Sequence, residues 1–282
     1  MRWYRANGRH SLPWRLTRDP YAVVVSEVML QQTQVERVLP YYEAWMGRWP
    51  TVAALAAATP AEVIRAWAGL GYNRRALNLH RLASRVASDG WPVAPTESSL
   101  LPLPGVGPYT AAALLSFAYE VPAIVIDTNI ARVVARVCLG AATQKGISSR
   151  DLRDAAAGLL PRSRVRDHNL ALMDLGAQMC TARAPHCDGC PLHQLCAWRI
   201  AGNPNTAKGR RPTLRFEDTA RYARGRIVDA LRDGARDEQA LADVLTPVHR
   251  DRLRTYLEGL ERDGLAVRCD GTAMWSLPLT AG

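Results

Sequence analysis

Four cysteines within 17 residues, Cys180, Cys187, Cys190 and Cys196, are spaced C-x6-C-x2-C-x5-C, and this spacing constrains the chain more than any other feature. Four thiolates on one short segment can close around a metal centre, and the spacing suits either a [4Fe–4S] cluster or Zn²⁺. Disulfide pairing is the competing use of clustered cysteines. The first ten residues, MRWYRANGRH, have no apolar run of a secretory signal, so a reducing cytoplasm is expected and metal is preferred to disulfide. Cys138 and Cys269 stand apart from the cluster.

The rest of the chain reads as predominantly helical. Hydrophobic residues make up 48% and charged residues 22% of the 282, enough apolar content for a sizeable core and against global disorder. No apolar run approaches the ~18 residues of a membrane span. The net charge of +10 lies in residues 1–215, which hold 26 basic and 14 acidic side chains, against 10 and 12 in residues 216–282. A basic excess of that size suggests a polyanionic partner. Asp19-Pro20 is expected to start a helix running to Pro40. Thr59-Pro-Ala-Glu62 is a capping box, and Asn73 to about Ala87 forms a helix closed by Gly90. Further helices are expected from Tyr109, from an Asp127 cap, from a Ser149 cap and from an Asp167 cap.

Residues 202–213 are rich in Gly, Asn and Pro, with Lys208, Arg210 and Arg211 and no acid, and read as a linker. Three helical patterns follow, at roughly 218–233, 237–245 and 248–263. An alternating segment around Asp270-Gly271 then signals a hairpin. The expected domains are 1–201, carrying the cysteine loop at 180–196, and a small winged-helix-like unit at 214–282.

Leu103-Pro104-Gly105-Val106-Gly107 makes a tight turn between a short and a longer helix, and its backbone N–H groups can hold a phosphate. Asp127 follows some 20 residues on. Together with the cysteine spacing, these features resemble the helix-hairpin-helix DNA glycosylase superfamily with its iron–sulfur loop. LPWR (12–15), SEVMLQQTQV (26–35), GLGY (69–72), MDLGAQMCT (173–181) and CPLHQLC (190–196) resemble the MutY-type adenine DNA glycosylases within it. The match runs over residues 3–200. It implies a mainly α fold of two helical lobes with a [4Fe–4S] loop. In this family the cluster pins a loop and takes no redox part in the reaction.

The resemblance also implies roles. Glu27, mid-helix in VVVSEVML, corresponds to a buried general acid that protonates a ring nitrogen of adenine so that the base leaves neutral. Asp127, also a good N-cap, corresponds to the carboxylate facing the positive charge that develops at C1′, and Asn129 orients the site. Thr128 stands where the family's Asp-Gly-Asn motif has Gly. Tyr109 occupies the place of the Schiff-base Lys of bifunctional relatives, implying a monofunctional enzyme. Gln32 and Tyr72 match residues that wedge into the base stack. Trp14, Arg15 and Leu30 match the adenine pocket, and Thr33, Leu70, Gly105, Val106 and Gly107 complete the expected DNA-binding set. Arg183 and Arg199, with the basic helix start Asn73-Arg74-Arg75, are candidate backbone contacts.

The expected function is excision of adenine opposite 8-oxoguanine or guanine in double-stranded DNA, by a monomer with no membrane association, in the cytoplasm at the nucleoid. The alternatives are a thymine or uracil mismatch glycosylase of the same fold, or a non-catalytic iron–sulfur DNA-binding protein. Typical family members carry a larger C-terminal domain resembling a Nudix fold, for which residues 214–282 are too few.

Overall fold

The computed structural model describes residues 1–92, 95–203 and 214–280. Most of the expected linker, with Lys208, Arg210 and Arg211, lies outside them. The helices are α1 (Arg2–Asn7), α2 (Pro20–Leu30), α3 (Val35–Arg48), α4 (Val52–Ala56), α5 (Pro60–Ala66), α6 (Arg74–Asp89), α7 (Glu97–Leu100), α8 (Pro108–Phe117), α9 (Thr128–Leu139), α10 (Ser149–Leu159), α11 (Val165–Gln178), α12 (Ala197–Ile200), α13 (Ala220–Arg232), α14 (Glu238–Asp243), α15 (Pro247–Arg250) and α16 (Leu253–Arg262). The strands are β1 (Arg236–Asp237), β2 (Val267–Arg268) and β3 (Met274–Ser276). The fold is mainly α, as the sequence predicts. Among the described residues no helix is long and apolar enough to cross a membrane.

Two compact units divide the chain: Met1–Val24 with Ala94–Leu101 and Val106–Arg211, and Val25–Val93 with Pro102–Gly105 and Pro212–Gly282. The first is built around α9. Its apolar residues Ile130, Val133 and Val134 are fully buried, and α10, α11 and α12 all pack on it. Asp127 caps it as expected, its side chain accepting from the Ile130 N–H.

The same unit holds a buried ion cluster. Asp174 of α11 is 0% exposed and accepts two bonds from Arg15 (2.6 and 2.9 Å) and two from Arg9, at the backbone N–H (3.0 Å) and Nε (2.6 Å). Burial alone would raise the Asp174 pKa. The Arg15 and Arg9 donors outweigh it and hold the carboxyl below its ordinary value.

The second unit packs α5 and α6 against the C-terminal elements. Ala61, Ile64 and Leu77 share one core with Ile227, Leu231 and Leu257. Arg232 donates to the Ile64 carbonyl (3.1 Å) and to Asn73 (3.0 Å) across the same seam. The strands form an antiparallel sheet in the order β1-β3-β2, with Arg236 opposite Trp275 and Val267 opposite Ser276. Helix α13, strand β1, the three helices α14, α15 and α16 and a hairpin turning at Asp270-Gly271 follow one another in that order. Residues 214–280 are not a separately packed body, however, because α13 lends its apolar face to α5.

Local boundaries also differ from expectation. The helix expected over 19–40 is two helices, interrupted where Gln32 takes φ 59°. Pro40 sits inside α3 rather than ending it, because the buried Tyr42 and Trp45 beyond it carry the helix into the core. Ser148, not Ser149, caps α10. Arg164, at φ 60°, precedes α11, and Asp167 lies in its first turn.

The shared core makes a prediction about truncation. Deleting residues 214–282 strips cover from Ile64 and Leu77, at roughly 1.5–3 kcal/mol for each large side chain. The shortened chain should melt well below the full chain or fail to stay in solution. Equal melting temperatures for the two would show that the seam contributes nothing.

Candidate active site and cluster loop

Asp127 stands at the head of α9 with both carboxylate oxygens engaged. Oδ1 accepts from the Ile130 N–H (2.6 Å) and Oδ2 from Asn129 Nδ2 (2.9 Å). Burial pushes its pKa above the ordinary value of 3.8, while the Ile130 and Asn129 donors and the nearby Arg132 pull the other way. The residue is therefore both a helix cap and a desolvated carboxyl. Asn129 is oriented in turn by Arg132, whose Nη2 donates to Asn129 Oδ1 (2.9 Å) and to the Gly176 carbonyl (2.6 Å). Gly176 of α11 must be glycine here. A Cβ on it would lie 2.7 Å from Asn129 Cβ and 2.9 Å from the Asn129 carbonyl oxygen, closer than carbon packing tolerates.

Helix α9 also grips the cysteine segment. Arg132 Nε donates to the Cys180 carbonyl (2.7 Å). One turn on, the buried Arg136 donates to the Thr181 carbonyl (2.8 Å), to Cys180 Sγ (3.2 Å) and to the Ala142 carbonyl (2.9 Å). Its guanidinium lies 4.6 Å from the Trp198 ring centroid. The four expected cysteines line one cavity together with apolar Val133, Leu175 and other side chains. Among the described residues, no three His, Cys, Asp or Glu side chains converge as ligands of a single ion would. Half-buried thiols ringing an apolar cavity, with an N–H aimed at one sulfur, fit a four-thiolate cluster.

Tyr109 is the second residue of α8, which Gly107 caps without a side-chain bond. Gly105 has φ 77°, and a Cβ there would meet Asn78 Cβ at 2.8 Å, so the turn admits only glycine on both counts. Val106 is buried. The expected tight turn between two helices is present.

The second unit carries Glu27, which is 5% exposed between fully buried Val24, Val25 and Met29. Leu30 ends α2 half-buried, and Thr33 closes the turn with its N–H on the Leu30 carbonyl (3.2 Å). Gln32 and Tyr72 are both exposed, both at positive φ (59° and 48°), and joined by a bond from the Tyr72 hydroxyl to Gln32 Oε1 (2.8 Å). Leu70 is buried, and its carbonyl accepts from Arg75 (3.1 Å).

Arg75 is not the phosphate contact expected at this helix start. Its Nη1 donates to the carbonyls of Val28 (2.7 Å), Met29 (3.1 Å) and Gln31 (2.7 Å), and its Nη2 to those of Leu70 and Gly71 (both 3.1 Å). One guanidinium thus holds the turns of Gln32 and Tyr72 together. Burial lowers its pKa to about 10, which leaves it cationic at neutral pH. Among the pocket candidates Trp14 is buried, while Arg15 is 8% exposed and bound to Asp174. Asp174 fixes in place the guanidinium of Arg15, the neighbour of Trp14 in the sequence. Arg183 is exposed, and Arg199 pairs with Asp188 (2.7 Å). Sequence reasoning missed Arg132, Arg136 and Asp174. Two arginines four residues apart in the otherwise apolar NIARVVARV were the available signal for the first two.

Residues 25–157 match the family model of the HhH-GPD superfamily base excision DNA repair protein, and residues 180–196 match the iron–sulfur binding domain of endonuclease III. The chain is 46% identical over 269 residues to an adenine DNA glycosylase of Mycolicibacterium smegmatis, covering 93% of this chain and 89% of that protein. It is 44% identical to one of Mycobacterium tuberculosis H37Rv, covering 94% and 88%. An alignment of 269 residues extends into the C-terminal elements, beyond the 3–200 over which the motifs were recognised. The structure of a thermostable thymine-DNA glycosylase superposes with a TM-score of 0.62 at 32% identity, covering 68% of this chain and 90% of that one.

The cysteine loop holds a [4Fe–4S] cluster, so purified protein should be yellow-brown, with about four irons per chain and no stoichiometric zinc. Cys138→Ser and Cys269→Ser should keep the iron. Arg136→Ala, which removes the donor to Cys180 Sγ, should lose it faster under chelator. Colourless protein with one zinc per chain would contradict the assignment.

Proposed function

The chain belongs to the HhH-GPD superfamily of base excision repair proteins, and within it to the adenine DNA glycosylases, and from that premise we propose that it removes adenine mispaired with 8-oxoguanine or guanine, leaving the DNA strand intact. It acts as a monomer on double-stranded DNA, in the cytoplasm at the nucleoid. The catalytic domain is residues 1–201, and the tail at 214–282 stays attached to it through α13.

The observation that carries this proposal is Glu27: a carboxyl 5% exposed in the apolar middle of α2. A carboxylic acid so placed is suited to give a proton rather than to hold charge. In the proposed reaction Glu27 protonates a ring nitrogen of adenine. The C1′–N bond breaks with its electron pair going to the base, and water then adds at C1′, releasing one proton to solvent to leave the abasic sugar's hydroxyl. Asp127 faces the positive charge that forms on the sugar, and Asn129 keeps its carboxylate turned. Tyr109 aids at the sugar without forming a covalent bond. Gln32 and Tyr72 fill the gap left by the extruded nucleotide, with Thr33, Leu70, Gly105, Val106 and Gly107 along the DNA and Trp14 and Leu30 toward the base. When bound, the cluster ties the four thiolates of Cys180, Cys187, Cys190 and Cys196 into one rigid loop and enters no step. The similarity to a thymine-DNA glycosylase favours one second reading, a thymine or uracil mismatch enzyme. An acid aimed at a purine nitrogen has less use there.

Duplexes carrying A·8-oxoguanine, A·G, T·G and U·G separate the two. Base release is expected from the two adenine-containing duplexes, A·8-oxoguanine and A·G, and from neither T·G nor U·G. Glu27→Gln should bind A·8-oxoguanine DNA but excise about 10²- to 10⁴-fold more slowly. Near-normal excision by that variant would reduce Glu27 to a packing residue.

The pH profile tests Asp127. The ionised carboxylate is the active form, so excision should fall as pH drops through its raised pKa, placing the acid limb above 3.8. Asn129→Ala removes a donor that favours the anion and should move that limb further up. An unmoved limb would assign it to another group.

A further inference from the structure

Arg221, near the start of α13, reaches Tyr72. Its guanidinium Nη1 donates to the Tyr72 hydroxyl. The same group lies 4.8 Å from the Tyr72 ring centroid and 4.7 Å from that of Phe216. Phe216 is set edge-on against Tyr222, with centroids 5.6 Å apart at 82°. Because the Tyr72 hydroxyl also donates to Gln32, one continuous contact runs from the tail to both exposed wedge side chains. All of these residues belong to one compact unit.

The attachment behind Arg221 is firm. Arg232 bonds Asn73, the residue after Tyr72 (3.0 Å). The buried His249 lies 2.9 Å from the Glu217 carbonyl through Nε2 and 2.9 Å from the Tyr256 hydroxyl through Nδ1, fixing the turn that carries Phe216. Arg221 itself is exposed and contributes little to the core, so a structural duty does not explain its placement. Tyr72, at φ 48° and 39% exposed, depends on partners to hold its rotamer; Arg75 is one, 5.5 Å from the ring centroid. A planar cation that both stacks on the ring and bonds the hydroxyl is such a partner.

We propose that Arg221 is a positioning residue for the wedge: the C-terminal unit uses it to hold Tyr72 and Gln32 in one pre-ordered arrangement before they enter the duplex. This rests on the proposed wedge role of those two residues. Pre-ordering lowers the entropy lost on binding, so its removal weakens engagement with the mispair more than it slows the bond-breaking step.

A double-mutant cycle on the full chain tests this, with duplex binding measured by fluorescence anisotropy beside adenine release. Arg221→Ala should raise Kd and KM for A·8-oxoguanine DNA about tenfold, with kcat changed less than about threefold. Arg221→Lys, which keeps the charge but not the planar stack, should fall between. In a Tyr72→Ala background, Arg221→Ala should have almost no further effect, because the group it positions is gone. Equal losses in both backgrounds, or no loss in either, would overturn the proposal. Coupled binding without adenine release from any duplex would instead overturn the proposed function and leave the positioning role intact. Adenine release with additive effects would do the reverse.

Discussion

The rest of the first unit depends on two guanidinium groups one turn apart on α9. Arg132 and Arg136 answer a problem set by the cysteine loop, which brings backbone carbonyls at Gly176, Cys180 and Thr181 into a partly dry environment. A carbonyl left unpaired there costs roughly 1–3 kcal/mol, and a guanidinium with five fixed donors can serve several at once. The two arginines are desolvated in doing so, and burial lowers the Arg132 pKa. Because α9 begins at Asp127, the same helix that anchors the loop sets the carboxylate. The cysteine loop and the Asp127 carboxylate are thus one mechanical element.

The second unit repeats the device with Arg75. Five carbonyls from two turns converge on one side chain. That convergence lets Gln32 and Tyr72, neither of them glycine, sit at positive φ. Such backbone conformations cost on the order of 1–3 kcal/mol each and persist only where the surroundings overdetermine them. Strain and exposure coincide at Gln32 and Tyr72, the two residues proposed to enter the base stack, while Glu27, the proposed acid, is buried in the helix leading to the first of them.

Features with local causes were legible in the sequence. The Thr59-Glu62 capping box, the Asp127 cap, the Gly105 turn and the Asp270-Gly271 hairpin all follow from side chains acting on their own backbone within a few residues. Non-local features were not. The interruption at Gln32 depends on an arginine 43 positions later. The Arg15–Asp174 pair joins residues 159 apart, so LPWR by itself gave no sign of the carboxylate that holds its guanidinium. The tail's attachment lay in the apolar face of α13, which a winged-helix pattern alone would have spent on its own hydrophobic core. Its partners, Ile64 and Leu77, looked like ordinary core residues of α5 and α6.

The central claim is hydrolysis without strand cutting, and product analysis under borohydride addresses it most directly. In the proposed reading Tyr109 takes the place of a Schiff-base lysine, and Lys145 and Lys208 are the chain's two lysines. Incubation with a duplex carrying adenine opposite 8-oxoguanine should yield free adenine and an abasic strand that breaks only after alkali or heat. Borohydride should trap no protein–DNA adduct, because no amine has condensed with C1′. Efficient trapping by the unmodified protein, lost on replacing Lys145 or Lys208, would contradict both the hydrolytic assignment and the placement of Tyr109 at the sugar.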